Sequence, residues 1–362
     1  MKKSSLVSLL LLAFLLISLL SCSSKATEPE FVATPSFNPP GGTYDTVQHV
    51  SITCETLLAT IYYTLDGSNP NSGSPVYSGP ITINKTTTVK ARSAREGRQD
   101  SKIASATYTF QISPIPENFV LVEGGSFHNG TSNVTVSSFY LDKYELTQAE
   151  YQAVMGTNPS YFSGNPNNPV EQVSWFNAIE YSNRRSLQEG LTPCYSYSNY
   201  GTNPDSWPSG WNTNDDNHTN VSCNWTASGY RLPTEAEWQF AARGGNQAHD
   251  YTYSGSNTIG AVAWYCDNND PYGTKPVGGK LPNELGLYDM SGNIWEWNWD
   301  IYGSYPGGTQ TNPHGATSGS YRVVRGGSWD DDAYYCTVSN RDDSYATHSY
   351  NWLGFRVCRF SP

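Results

Sequence analysis

The feature that most constrains this chain is a stretch near its C-terminus whose two ends are strictly specified and whose middle is not. It runs Arg325-Gly-Gly-Ser-Trp329, then twenty-two residues, then Trp352-Leu-Gly-Phe-Arg356. The glycines suit a backbone that turns sharply or lies against something, and Trp329, Trp352 and Phe355 are large enough to anchor both ends in a core. Nothing between them predicts a regular helix or strand. Solvated loops do gather Asp, Asn and Ser for turn chemistry. Four tyrosines, however, are too many rings for a loop that meets only water, and Tyr among Ser, Asn and Asp is the composition of a binding paratope. The candidate ligand-binding residues are therefore Asp330, Asp331, Asp332, Tyr334, Tyr335, Asp342, Asp343, Ser344, Tyr345, His348, Tyr350 and Asn351. The segment contains no Lys, Glu, Gln or Met, the gap that randomised codons of one restricted type would leave.

At the other end, Lys2 and Lys3, an apolar run from Leu6 to Leu20 and the sequence Leu19-Leu20-Ser21-Cys22 make residues 1–21 a secretory leader with a bacterial lipobox, and Cys22 the site of lipidation. The run is short for a membrane span and ends at a Cys after a small residue. The expected product is a lipoprotein tethered to the membrane through Cys22, in a bacterial cell envelope and on its outer surface. The formal charge of −11 and the absence of a basic cluster argue against nucleic acid as a partner. Six further cysteines lie in a chain expected to leave the cytoplasm, where disulfides are permitted. Cys194 and Cys223 bracket one polar insertion and are the expected bridge.

Residues 22–34 are Ser-, Thr-, Glu- and Pro-rich and read as a flexible stalk. From 35 to 110, β-rich runs at Val50 to Thr53, Thr60 to Leu65, Pro80 to Ile83, Thr87 to Ala91 and Ala104 to Phe110, separated by turn signals, predict a small antiparallel β-sandwich. Pro35-x-Phe37-x-Pro39-x-Gly41, the run Ile61-Tyr-Tyr-Thr-Leu-Asp66-Gly-Ser-x-Pro70 and Thr88-Val-Lys-Ala91 resemble the accessory β-domain at the C-terminus of chitobiase and β-hexosaminidase. That resemblance implies a spacer or adhesion module without catalysis, with Asp66 as a turn residue.

After a linker at 111–117, residues 118–362 change to a Trp-, Gly- and Asn-rich chain of single-domain size. Only three helices announce themselves: capping boxes at Thr147-x-x-Glu150 and Thr234-x-x-Glu237, and an apolar stripe of Phe176, Ile179 and Leu187 between Ser174 and Glu189. Such a fold must rest on buried aromatics. The ordered motifs Val120-x-x-Glu123-Gly-Gly-Ser-Phe127, Tyr144-Glu145-Leu-Thr-Gln148, Asn168-Pro-Val170, Gly229-Tyr-Arg-Leu-Pro-Thr234-Glu-Ala-Glu-Trp238 and Gly286-Leu-Tyr-Asp289-Met-Ser-Gly-Asn293-x-Trp-Glu-Trp297, closed by the terminal stretch, resemble the formylglycine-generating enzyme and sulfatase-modifying factor family. The resemblance implies an irregular α+β fold of low secondary-structure content, related to C-type lectins, with a long peptide-binding groove.

The family's copper-dependent oxidases hold their metal with two thiolates five residues apart, and here Asp331 stands at the first place and Cys336 at the second. Cu(I) prefers soft thiolate ligands, so copper and oxidase activity are not expected, and Cys336 is catalytic only if the chain is an enzyme after all. The iron-dependent relatives take His ligands from a helical partner domain, and the six histidines here show no ligand spacing. The resemblance also implies a structural calcium ion held at Asp289, Ser291, Gly292, Ile294 and Glu296, all hard oxygen donors. Some family members are displayed binding proteins whose last loop, between a Gly-Gly-Ser-Trp and a Gly-Phe-Arg, is diversified by retroelements. The expected function is binding of a protein or glycan ligand through residues 330–351. The alternatives are a sulfatase-modifying or related oxidoreductase and a structural envelope module.

Overall fold

The structure, a computed structural model, describes residues 31–44, 47–110 and 115–361. The leader, Cys22 and most of the stalk lie outside these residues. The described chain divides into two compact units, one of residues up to Thr43 with Gln48–Thr109 and one from Phe110 onward, to which the short piece at Tyr44–Val47 is also assigned.

The first unit has a three-stranded sheet of Ser36–Asn38, Gln48–Thr53 and Ile81–Ile83 and a four-stranded sheet of Gly42–Tyr44, Ala104–Phe110, Thr87–Ala94 and Thr60–Thr64. Alternation explains the pairing: along Thr87–Ala94, Val89, Ala91 and Ser93 are buried while their neighbours are partly exposed. Two strands escaped the sequence reading, Ser36–Asn38 and Gly42–Tyr44, each three residues long and flanking Pro39, too short to show alternation. Asp66 is the expected turn residue, its Oδ1 accepting from the amide and hydroxyl of Ser68 at 2.9 and 2.6 Å.

In the second unit both predicted capping boxes form, starting helices Gln148–Met155 and Glu235–Ala242. The third helix, Trp175–Gln188, begins at a capping box between Ser174 and Asn177. It buries Trp175, Phe176, Ala178, Ile179 and Tyr181, whereas Leu187, expected in the stripe, is exposed. In the last turn the core-facing position falls on the fully buried Ser186, which leaves Leu187 turned outward, while Arg185 lies over the ring of Tyr230.

One sheet carries the terminal stretch, with strand order Arg341–Tyr345, Tyr321–Arg325, Trp295–Ile301, Leu353–Gly354. Indole N–H groups pin it to its surroundings. Trp175 donates to the carbonyl of Asn298 at 3.0 Å, Trp297 to that of Val173 at 2.9 Å and Trp238 to Glu296 Oε2 at 2.9 Å. A Trp indole buried without a partner is costly, so each such bond fixes one arrangement of the core. Cys194 and Cys223 are free thiols, so the expected bridge is not formed. The register pairs Tyr195 with Cys223, which places Cys194 one residue away from the facing position.

Candidate functional site

The ends of the terminal stretch are fixed as their composition requires. Arg325 is fully buried, donating to Glu235 Oε1 at 2.8 Å and to the carbonyl of Val338 at 2.7 Å. Gly327 has φ +74°, and a Cβ there would meet Cys336 Sγ at 2.8 Å, so only glycine fits. Arg356 binds both oxygens of Glu296 at 2.7 Å, with neither side chain exposed. Trp329 Nε1 donates to the carbonyl of Asn351 at 3.1 Å, closing the two ends on each other.

The middle is more ordered than the sequence suggests. Arg341–Tyr345 is a strand, antiparallel to Tyr321–Arg325 over five residue pairs. Arg-Asp-Asp-Ser-Tyr has little β-propensity, but the neighbouring strand leaves backbone groups to be paired, and tertiary context decides. Ser344 is buried in this strand and is not available to a ligand, contrary to the expectation for it. Cys336, Val338 and Ala346 are buried as well, and Arg341 donates to Glu235 at 2.7 and 2.6 Å. Burial pushes the Glu235 carboxyl up, but Arg325 and Arg341 outweigh it and hold it below its ordinary range.

The other candidates fall into two groups. Asp330, Asp332, Tyr334, Tyr335 and Asp342 are exposed, Tyr334 at 70%. Asp343, Tyr345, His348, Tyr350 and Asn351 are half-buried. Of the four tyrosines, then, only Tyr334 and Tyr335 present open rings, packed edge to face at 5.4 Å. The others form a ladder: Tyr345 against His348 at 5.0 Å, Tyr350 donating to or accepting from His348 Nδ1 at 2.9 Å, and Tyr350 stacked on Trp352 at 4.5 Å.

Asp331, at the first thiolate position, is a structural carboxylate. Its Oδ2 accepts from Trp295 Nε1 at 2.8 Å and from the Ser328 hydroxyl, and burial raises its pKa. Cys336 is fully buried and burial pushes its thiol well above the ordinary range, the reverse of what an activated nucleophile needs.

Around Asp289 the structure gathers three buried carboxylates, Glu145, Asp289 and Glu296. Asp289 Oδ2 accepts from the amide of Gly278 at 2.6 Å, and its Oδ1 has no hydrogen-bond partner. Burial raises Asp289 to a pKa of about 6. Glu145, which accepts from Asn293 Nδ2 and the Ile294 amide, is raised further by burial and by the charges of Asp289 and Glu296. Ser291 Oγ donates to the carbonyl of Cys336 at 2.7 Å. Asp289, with one unpartnered oxygen in a region of surplus negative charge, fits a hard cation. Glu296 does not, because both its oxygens are committed to Arg356 and Trp238. Among the described residues, no three His, Cys, Asp or Glu side chains converge as a ligand set.

Two features carried no signal in the sequence. Glu235 ties the middle of the segment to its first anchor through Arg341 and Arg325, though in sequence it is one residue of a capping motif. An open surface depression beside Trp329, rimmed by exposed Tyr161 and Tyr272, depends on two loops separated by a hundred residues. Only the isolated tyrosines in turn-rich segments could have hinted at it.

Comparison with known proteins places both units. The sulfatase-modifying factor enzyme 1-like domain matches residues 109–360, and the chitobiase/beta-hexosaminidase C-terminal domain matches residues 39–105. "Chaperone protein LppX" of Paenibacillus barcinonensis is 43% identical over 246 residues, covering 62% of this chain and 83% of that protein. The formylglycine-generating enzyme of Streptomyces coelicolor is 34% identical over 214 residues, spanning 54% of each chain. Among solved structures, Treponema denticola variable protein 1 is similar with a TM-score of 0.61 and 34% identity, over 67% of this chain and 94% of that one.

Proposed function

Since the chain belongs to the sulfatase-modifying factor enzyme 1-like family, we propose that it is a ligand-binding member of that family, lipid-anchored at the cell surface, which captures a protein or glycan with the exposed part of residues 330–351. One observation carries this reading: Arg325, Trp329 and Arg356 lock the ends of the segment into the core while Tyr334 and Tyr335 stand open between them. Rigid scaffold ends with open tyrosines give contact area at small entropic cost. The resemblance to a Treponema variable protein supports the same use of the segment. The two sheets of the first unit then serve as a β-sandwich spacer between anchor and binder. The test lies in the genome and at the bench. A near-repeat of the segment, asparagine-type codons at its exposed positions and an adjacent reverse-transcriptase gene are expected, and capture of surface proteins or glycans should change when residues 330–335 are rewritten. A gene without repeat or reverse transcriptase, together with capture indifferent to those residues, would sink the proposal.

The 43% identity to a chaperone protein favours a second reading, in which the bound partner is an incompletely folded protein. Suppression of aggregation of a denatured test protein at stoichiometric ratio, lost in Tyr334→Ala/Tyr335→Ala, separates it from recognition of folded surfaces.

A further inference from the structure

The first unit exposes three large apolar side chains at one end: Leu57 at 77%, Leu58 at 80% and Phe31 at 61%. Leu57 and Leu58 are the two central residues of a turn that the Ala59 amide closes onto the Thr56 carbonyl at 3.2 Å. Leu58 holds φ +58°, the left-handed region that Gly, Asn and Asp occupy and a bulky side chain avoids. Asparagine there would relieve the backbone, and a polar residue at 57 would suit water, so folding gives no reason for either leucine. A strained residue kept at an exposed position points to use.

The entering chain is stitched to the same end. The Ala33 amide donates to Thr56 Oγ1 at 2.9 Å and the Val32 amide to the carbonyl of Gln99 at 2.9 Å, which sets Phe31 beside Gln99. Leu58 in turn borders one depression with Arg95 and Asp100. The leucine turn, Phe31 and the turn at 95–98 therefore share one end of the unit. Charge there runs against that of the chain as a whole. Residues 92–102 carry Arg92, Arg95, Arg98 and Lys102 against Glu96 and Asp100, with Glu55 next to the leucine turn, in a chain of formal charge −11.

We propose that this end of the first unit seats on a lipid bilayer, with Leu57, Leu58 and Phe31 entering the boundary between headgroups and acyl chains and the basic residues meeting lipid phosphates. The inference rests on the lipid anchoring at Cys22 read above. Eight residues separate Cys22 from Phe31, and even fully extended that link reaches only about 30 Å. The end that carries Phe31 is thus held near the bilayer, and these three apolar side chains are what it presents. A lipid tether alone leaves a domain free to turn, whereas a second, weaker contact fixes which way it faces.

Lipid photolabelling tests it. The chain Ser23–Pro362, with a polyhistidine segment ahead of Ser23, is held on vesicles of phosphatidylethanolamine, phosphatidylglycerol and a nickel-chelating lipid. A phospholipid with a diazirine in its acyl chain supplies the label, and mass spectrometry maps the labelled peptides. The nickel tether replaces the acyl group, so the outcome does not depend on it. Label should concentrate on Leu57, Leu58 and Phe31. In Leu57→Ser/Leu58→Asn it should fall at least fivefold on the turn while vesicle capture and melting temperature hold, and Arg95→Glu should lower it at least twofold. Label confined to residues ahead of Phe31, label spread evenly over the first unit, or label on the turn unchanged in the leucine variant overturns the inference. So does protection of the turn from proteolysis without vesicles, which would place protein rather than lipid over it. An unacylated Cys22 in the natural protein would sink the anchoring reading and leave a labelled turn standing. An acylated chain with an unlabelled turn does the reverse.

Discussion

Arg341, inside the variable segment, donates two hydrogen bonds to Glu235 at 2.7 and 2.6 Å, and Glu235 in turn holds the fully buried Arg325. The segment is therefore part support and part display. Arg341→Ala should destabilise the second unit by about 3 kcal/mol, because it strips one partner from a buried charge cluster. Rewriting Asp330, Asp332, Tyr334, Tyr335 or Asp342 should stay within about 0.5 kcal/mol, as for ordinary surface positions. A randomised library sorted for folding by protease resistance distinguishes the two sets. Equal tolerance at Arg341, Val338 and Tyr334 would contradict this division.

The protein should not convert the cysteine of a sulfatase-type peptide to formylglycine with added copper. Asp331 is already bonded to Trp295 and Ser328, and the Cys336 thiol is buried and protonated. Mass spectrometry of the peptide reads the outcome, and conversion that depends on Cys336 would refute the binding-protein reading.

Chelating calcium should lower the melting temperature of the second unit, since an ion bound only by the native state stabilises by mass action. Asp289→Ala should remove most of that dependence, and Glu296→Gln should not mimic it, because Glu296 faces Arg356 rather than an open site. Identical melting curves with and without chelator in the parent protein would argue that no ion is held there.

Glu171 supplies a pH test. Burial raises its carboxyl from 4.5 to about 7, and only one of its oxygens has a partner, the Phe162 amide. Between those two values the folded chain holds a proton that the unfolded chain has released, so stability falls as pH rises through the window and stays low above it. Glu171→Gln should flatten that slope and stabilise the protein by about 1 to 3 kcal/mol at pH 8, with no gain below pH 4.5. Urea unfolding at pH 4, 6 and 8 measures it.

The legible parts of this fold were those written in local chemistry. Thr147 and Thr234 announced their helices through capping boxes, and the paired anchors Trp329 and Trp352 announced a segment held at both ends. What stayed hidden depends on partners distant in sequence. The strand Arg341–Tyr345 exists because Tyr321–Arg325 offers it a ladder, and Ser344 is buried for the same reason. The indole of Trp295 makes Asp331 a brace, and Arg356 takes Glu296 out of the expected ion site. The bond from Asn168 to Thr274 is a contact spanning 106 residues that no local pattern encodes.

The bond from Trp329 to the carbonyl of Asn351 has a consequence for how the segment tolerates change in length. Because the scaffold closes the loop at its base, the ends meet whatever lies between them, and the entropy of closure grows only slowly with the number of residues, about 0.6 kcal/mol for each doubling. The strand Arg341–Tyr345 divides the span into two smaller arcs with separate closures. Insertions should therefore be absorbed within the arc that receives them, so that the molecule behaves as a frame with two independent slots, one before Arg341 and one after Tyr345.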